Sequence, residues 1–171
     1  MPTPPSHGKR IEWTAPNARG PTSESPGQAV GDNAREVKEA ATIHFDGGGQ
    51  RPGPVTASCV VTLSDGTAYE KFKHFDKGTH NFAEYQALIL GLRLARKHGA
   101  RKVEVMGDSR LVVNQVKGEW KTKHPTLQPL RAKACDLLAD FDHWSVEWIR
   151  REENRRADGV GRRARALLDG H

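Results

Sequence analysis

Residues 40–49 read AATIHFDGGG. Ile43 and Phe45 alternate with polar neighbours, the period-two pattern of a strand running into a core. That strand delivers an aspartate, Asp46, followed by three glycines. On these residues alone Asp46 is either a turn residue, since Asp-Gly pairs are common in turns, or a carboxylate held at a strand end with its surroundings kept bare. With what the rest of the chain brings to that strand end, both readings hold at once: the glycines make a turn, and Asp46 stands at its mouth as a functional carboxylate.

Downstream, PVTASCVVTLSDG (54–66) is a second strand, and Asp65-Gly66 makes a hairpin turn into a third, TAYEKFKHFDKG (67–78). The period then becomes helical. NFAEYQALILGLRLARKHGA (81–100) places Ala83, Ala87, Leu90, Leu94 and Ala95 on one face, and His98-Gly99 closes the helix. KVEVMGD (102–108) is a fourth strand, SRLVVNQVKGEW (109–120) a short helix entered through Ser109, and TLQPLRAKACDLLADF (126–141) a longer one. WSVEWI (144–149) alternates as a fifth strand, and ENRRADGVGRRARALL (153–168) is a last helix with Asn154 as its N-cap. Gly159 and Gly161 each cost that helix roughly 1 kcal/mol relative to alanine, so it either frays or packs closely against a neighbour.

This order predicts an α/β fold, a mixed five-stranded sheet with helices packed on it. The first and fourth strands lie side by side and parallel, and sites form beyond the carboxyl ends of strands where the winding switches.

Composition sets limits. The chain has 171 residues with 36% hydrophobic content, enough for one domain plus a segment that does not fold. Residues 1–38 are rich in Pro, Gly and Ser and read as a disordered tail, leaving 39–171 as the folded domain. In the tail, RIEWTAP (10–16) is a small island, read as a stray aromatic in polar surroundings rather than a docked element. No apolar run of membrane-spanning length occurs, and the N-terminus lacks the apolar stretch of a secretory signal. Cys59 and Cys135 have no metal-binding spacing and read as reduced core thiols of a cytoplasmic protein. Residues 1–40 hold equal numbers of basic and acidic side chains, so the net charge of +6 sits on the folded part. A basic domain favours a polyanionic partner.

Asp46 and Asp108 end the neighbouring first and fourth strands. Glu84 lies one turn into the long helix beside its buried stripe, and Asp158 lies one turn into the last helix. Each acid alone has an ordinary reading as a turn residue, a helix-dipole partner or a surface charge. Together they form a carboxylate cluster that would repel itself without a counterion. An all-oxygen donor set suits Mg²⁺ or Mn²⁺ and not zinc. Two such ions activate a water and stabilise the leaving oxygen in phosphodiester cleavage. The bare backbone of Gly47 and Gly48 would then let a bulky phosphodiester approach.

FDGGG (45–49), THNFAEYQAL (79–88), GDSRLVVNQV (107–116) and REENRRAD (151–158) resemble the four successive motifs of the ribonuclease H type 1 family. The resemblance spans residues 41 to about 168. It implies an RNase H-like fold with strand order 3-2-1-4-5 and helices on both faces. It also implies a Mg²⁺-dependent endonuclease, using two ions with Mn²⁺ as a substitute, that cuts the RNA strand of RNA–DNA hybrids to 5′-phosphate and 3′-hydroxyl ends. Carried over by motif, Asp46, Glu84, Asp108 and Asp158 are the metal-binding catalytic acids. Asn81 contacts the hybrid in the minor groove and Thr79 holds a DNA phosphate, with Gly47, Gly48 and Ser109 lining the path of the strand. Asn154 resembles the asparagine that braces the last acid. Lys121 and Lys123, along with Lys117, touch the nucleic-acid backbone or form a solvated charged loop.

Departures narrow the resemblance. His80-Asn81 stands where members often carry Asn-Asn or Asn-Gln, and QRPGP (50–54) lacks an asparagine often found there. Only RREE separates WSVEWI from Asn154, so a longer Gly- and His-bearing loop is missing. KGEWKTKHPTLQPL (117–130) has no long basic protrusion, so the chain resembles the compact members. Two rival functions remain at this level: a DNA nuclease or resolvase of the same fold, and a non-catalytic nucleic-acid-binding module whose tail contacts a protein partner.

Overall fold

The computed structural model describes residues 11–14, 39–49 and 53–169. Strands β1 (Ile11–Thr14), β2 (Ala40–Gly49), β3 (Val55–Leu63) and β4 (Ala68–Phe75) precede helix α1 (His80–Lys97). Strand β5 (Lys102–Gly107), helices α2 (Arg110–Val116) and α3 (Leu127–Ala139), and strand β6 (His143–Trp148) follow. A 3₁₀ turn (Arg151–Asn154) leads into α4 (Arg155–Asp169). The sheet order is β1-β6-β5-β2-β3-β4.

Leaving β1 aside, the five strands stand in the expected order, with β2 antiparallel to β3, β3 to β4, and β2 parallel to β5 and β5 to β6. The expected hairpin is formed between β3 and β4: Gly66 has φ +92° and its N–H donates to the Leu63 carbonyl at 2.9 Å.

Two features differ from the sequence reading. The island around residue 11 is not a stray: β1 pairs antiparallel with β6, Ile11 opposite Val146 and Trp13 opposite Trp144. A free sheet edge offers unpaired N–H and C=O groups to any short extended segment, and β1 fills the one that β6 would leave. The rest of the expected tail, residues 1–10 and 15–38, lies outside the described residues. The second difference concerns the glycines. They do not form a turn; β2 runs through them, with Gly47 opposite Ala57 and Gly49 opposite Val55 on β3. What ends at Phe45, opposite Gly107, is the parallel pairing with β5. Asp46 therefore emerges at the fork where β5 parts from β2.

The core lies mainly on one face. Ile43 and Phe45 of β2 pack with Leu88 and Leu92 of α1, and α2 and α3 extend that cluster. Fully burying such a side chain contributes about 1.5–3 kcal/mol. The other face is closed by α4, whose Ala157 and Val160 pack on Val60. Strand β3 is thus covered on both sides, which explains its nearly unbroken burial. Edge strand β4 stays largely exposed. Both ends of α1 are closed locally: the Thr79 hydroxyl oxygen accepts from the Phe82 N–H at 3.1 Å, and Arg96 and Lys97 occupy the last turn. Among the described residues no helix is long and apolar enough to cross a membrane.

Candidate active site

At the β2–β5 fork, carboxylate oxygens of Asp46, Glu84 and Asp108 lie within 4.8 Å of one another. Each arrives by a different route. Asp46 is carried by β2 and is buried. Asp108 follows the last residue of β5. Glu84 sits on the second turn of α1, 1% exposed, because that helix lies directly on the glycine strand. There the Gly47 N–H donates to Glu84 Oε1 at 3.1 Å.

Asp158 lines the same cleft, of about 660 Å³, but stands outside the tight group. Its carboxylate accepts from Arg162 Nε at 2.9 Å, one turn along α4. Gly47, Gly48 and Ser109 also line the cleft. Ser109 caps α2, its hydroxyl oxygen accepting from the Val112 N–H at 3.2 Å.

Asn154 is completely buried. Its Nδ2 donates to the Phe45 carbonyl at 2.9 Å and to Asp108 Oδ2 at 3.3 Å. It therefore braces the acid of β5 and not the last acid, Asp158, and its side chain reaches into the sheet instead of capping α4. The 3₁₀ turn before α4 aims it there. Trp148 Nε1 adds a second tie by donating to the Asp108 carbonyl at 3.1 Å.

Thr79 and Asn81 sit at the start of α1, outside the cleft lining. Lys121 and Lys123 are exposed between α2 and α3, also outside it. Lys117 is buried beside Glu119, its Nζ 3.8 Å from Oε2.

The cleft also gathers residues that motif reading did not assign. His80 Nε2 lies 3.3 Å from Glu84 Oε2, four residues earlier on α1. Arg110 lines the cleft with its guanidinium 4.2 Å over the Trp148 ring. Arg151 and Arg165 line it too. Arg165 stands seven residues after Asp158, two helical turns along one face, and that spacing is the signal that could have found it.

Electrostatics follows from this packing. Burial, then the charges of Glu84, Asp108 and Asp158, push the Asp46 carboxyl up to about 8, with Arg165 opposing. Burial also raises Glu84, with His80 and the Gly47 N–H working against it. Two buried carboxyls that resist ionisation beside a third form a set of hard oxygen donors that a divalent cation would satisfy.

Folded Asp46 keeps its proton up to about pH 8, whereas the unfolded chain loses it near pH 4. The folded state therefore binds the extra proton, and metal-free stability falls as pH rises through that window. Asp46→Asn removes the penalty. Without divalent cation it should stabilise the protein by about 1–3 kcal/mol at pH 8 and show little difference from wild type at pH 4. Chemical denaturation at the two pH values checks this; an equal effect at both contradicts it.

The family described as reverse transcriptase-like matches residues 44–164. The chain is 38% identical over 123 residues to ribonuclease HI of Halobacterium salinarum, an alignment covering 71% of this chain and 62% of that protein. The chain thus spans less than two thirds of that curated relative's length. Among solved structures, RNase H1 from Halobacterium salinarum superposes with TM-score 0.71 at 36% identity, covering 77% of this chain and 99% of that one. LC11-RNase H1, solved in complex with an RNA/DNA hybrid, gives TM-score 0.67 at 33% identity, covering 74% and 99%.

Proposed function

The chain belongs to the ribonuclease H type 1 family, and on that premise we propose that it is a metal-dependent endonuclease cutting the RNA strand of RNA–DNA hybrids. The observation that carries the reading is the meeting of Asp46, Glu84 and Asp108 at the strand fork. A module that only bound nucleic acid would gain nothing from buried carboxylates facing phosphates. Asp46, Glu84, Asp108 and Asp158 would hold Mg²⁺, with Mn²⁺ as a substitute. A pair of such ions held there would supply activation of the attacking water and charge stabilisation of the leaving oxygen, chemistry that would leave 5′-phosphate and 3′-hydroxyl ends.

The protein's own groups do the rest. Asn154 fixes the rotamer of Asp108 through its amide. The Gly47 N–H does the same for Glu84. Thr79 and Ser109 spend their oxygen lone pairs on helix caps and so keep a hydroxyl proton for a phosphate oxygen. Asn81, on the first turn of α1, is assigned to the minor groove, where 2′-hydroxyls distinguish RNA. Lys121 and Lys123 are assigned to backbone phosphates flanking the cleft. The buried free thiols Cys59 and Cys135 accord with a reducing, cytoplasmic setting.

Strand-labelled substrates test the reading with Mg²⁺ and with Mn²⁺. The RNA strand of a hybrid should be cut, and duplex DNA, duplex RNA and single-stranded RNA left largely intact. Efficient cutting of duplex DNA would move the assignment to a DNA nuclease; tight hybrid binding without cutting would move it to a binding module.

A further inference from the structure

Three arginines of α4 point in chemically different directions. Arg162 is engaged with Asp158 at 2.9 Å, and Arg163 with Glu70 at 2.9 Å. Arg165 instead lines the carboxylate cleft, and its Nη1 is buried without a hydrogen-bond partner. The residue as a whole is half-buried, so its head is desolvated in part while still reaching the cleft.

Two glycines make room for that head. A Cβ on Gly48 would lie 3.1 Å from Arg165 Nη1, 3.5 Å from Cζ and 3.6 Å from Nη2. A Cβ on Gly161 would lie 3.1 Å from the same Nη1 and 3.0 Å from the Ser58 hydroxyl oxygen. A Cβ at either position would crowd the guanidinium and make it give by a few tenths of an ångström. The helix-weakening Gly161 and the second strand glycine thus serve one seat.

A partly desolvated guanidinium with a free donor calls for an acceptor. Asp158 is engaged with Arg162 and Asp108 with Asn154, Asp46 feels the Arg165 charge without a hydrogen bond to its Nη1, and the anion that would enter the cleft on the endonuclease reading is a phosphodiester. Guanidinium donors match phosphate oxygens in geometry and charge. We propose that Arg165 is a phosphate-binding residue: its guanidinium, seated between Gly48 and Gly161, takes a non-bridging oxygen of the cleaved strand next to the carboxylate site. This rests on the endonuclease reading and deepens it. It gives Gly48 the task of seating Arg165, besides any close approach of backbone to substrate.

The test compares wild type, Arg165→Gln and Arg165→Lys, with folding checked by circular dichroism. Hybrid affinity is measured across a salt series without divalent cation, and steady-state cleavage with Mg²⁺. Arg165→Gln should bind the hybrid about tenfold more weakly, with the slope of log K against log salt reduced by about one phosphate contact. Its KM should rise more than its kcat falls. Arg165→Lys should keep the wild-type slope and recover part of the affinity. A wild type that cuts hybrid, beside an Arg165→Gln of unchanged affinity and slope, overturns the inference and leaves the endonuclease reading standing. A role confined to charge balance around Asp46 would show as a kcat loss with an unmoved slope, and also overturns it. A wild type that leaves hybrid uncut overturns both. If Arg165→Gln does not fold, Arg165→Lys with a lowered slope is contrary to the proposal.

Discussion

Asp108→Asn is expected to slow hybrid cleavage by about a thousandfold or more while hybrid affinity stays within about threefold of wild type. Asp108 is held by the Asn154 amide on its carboxylate and the Trp148 indole on its backbone carbonyl. Asparagine has nearly the same shape, and its amide oxygen can still accept from Asn154. What disappears is one full negative charge and one cation ligand. Losing about 4 kcal/mol of transition-state stabilisation gives the thousandfold figure. Binding should not suffer, because a negative charge facing phosphates has been removed. The checks are kcat on a labelled hybrid, Kd by anisotropy and the melting temperature. Near-full activity in a well-folded variant would show that the site is wrongly assigned.

The second large effect is structural. Gly47→Ala should destabilise the domain by about 3 kcal/mol or more, lowering the melting temperature by about 10 °C or more. A Cβ on Gly47 would stand 2.4 Å from the backbone of both Ala83 and Glu84. These are main-chain atoms of α1, so no rotamer change relieves the clash and the helix must lift off β2. Lifting it also breaks the bond from the Gly47 N–H to Glu84 Oε1, so activity should fall with stability. Gly159→Ala is the matched control. Its new methyl would meet only the far end of Arg163, at 3.4 Å, and the exchange should be neutral or stabilising by up to about 1 kcal/mol. Equal tolerance of both substitutions contradicts the close approach of α1 to the strand.

The reading of the glycines shows where the sequence was legible. Alternation in AATIHF and helical period in the segment after Thr79 place β2 and α1 correctly, because both patterns are local. Parallel pairing of β2 with β5 follows from the connection through α1, and with it the meeting of Asp46 and Asp108. The continuation of β2 through Gly47 to Gly49 does not follow, because glycine is depleted in strands. It is held there by pairing with β3 and, at Gly47, by the approach of α1.

Distance along the chain explains the other misses. β1 finds its partner more than 130 residues away, Ile11 opposite Val146, and four residues carry too little pattern to announce that pairing. The switch of Asn154 from cap to brace depends on a 3₁₀ turn inserted before α4. Arg165 is one of five arginines in a basic helix, and what separates it from the others is its place two turns beyond Asp158, in the cleft lining and against Gly48 and Gly161. The four acids, in contrast, were visible because each stands at the end or first turns of an element whose period is clear. Asp158 illustrates the limit of such placement: it reaches the right cleft, yet its carboxylate turns to Arg162.

The most direct measurement uses one substrate, an RNA–DNA hybrid labelled on its RNA strand, incubated with wild-type protein in Mg²⁺ and, separately, in excess chelator. The account requires internal cuts of the RNA strand with Mg²⁺, ending in 3′-hydroxyls, and none with chelator. An intact RNA strand in Mg²⁺ and Mn²⁺, or cutting that proceeds undiminished in chelator, contradicts it.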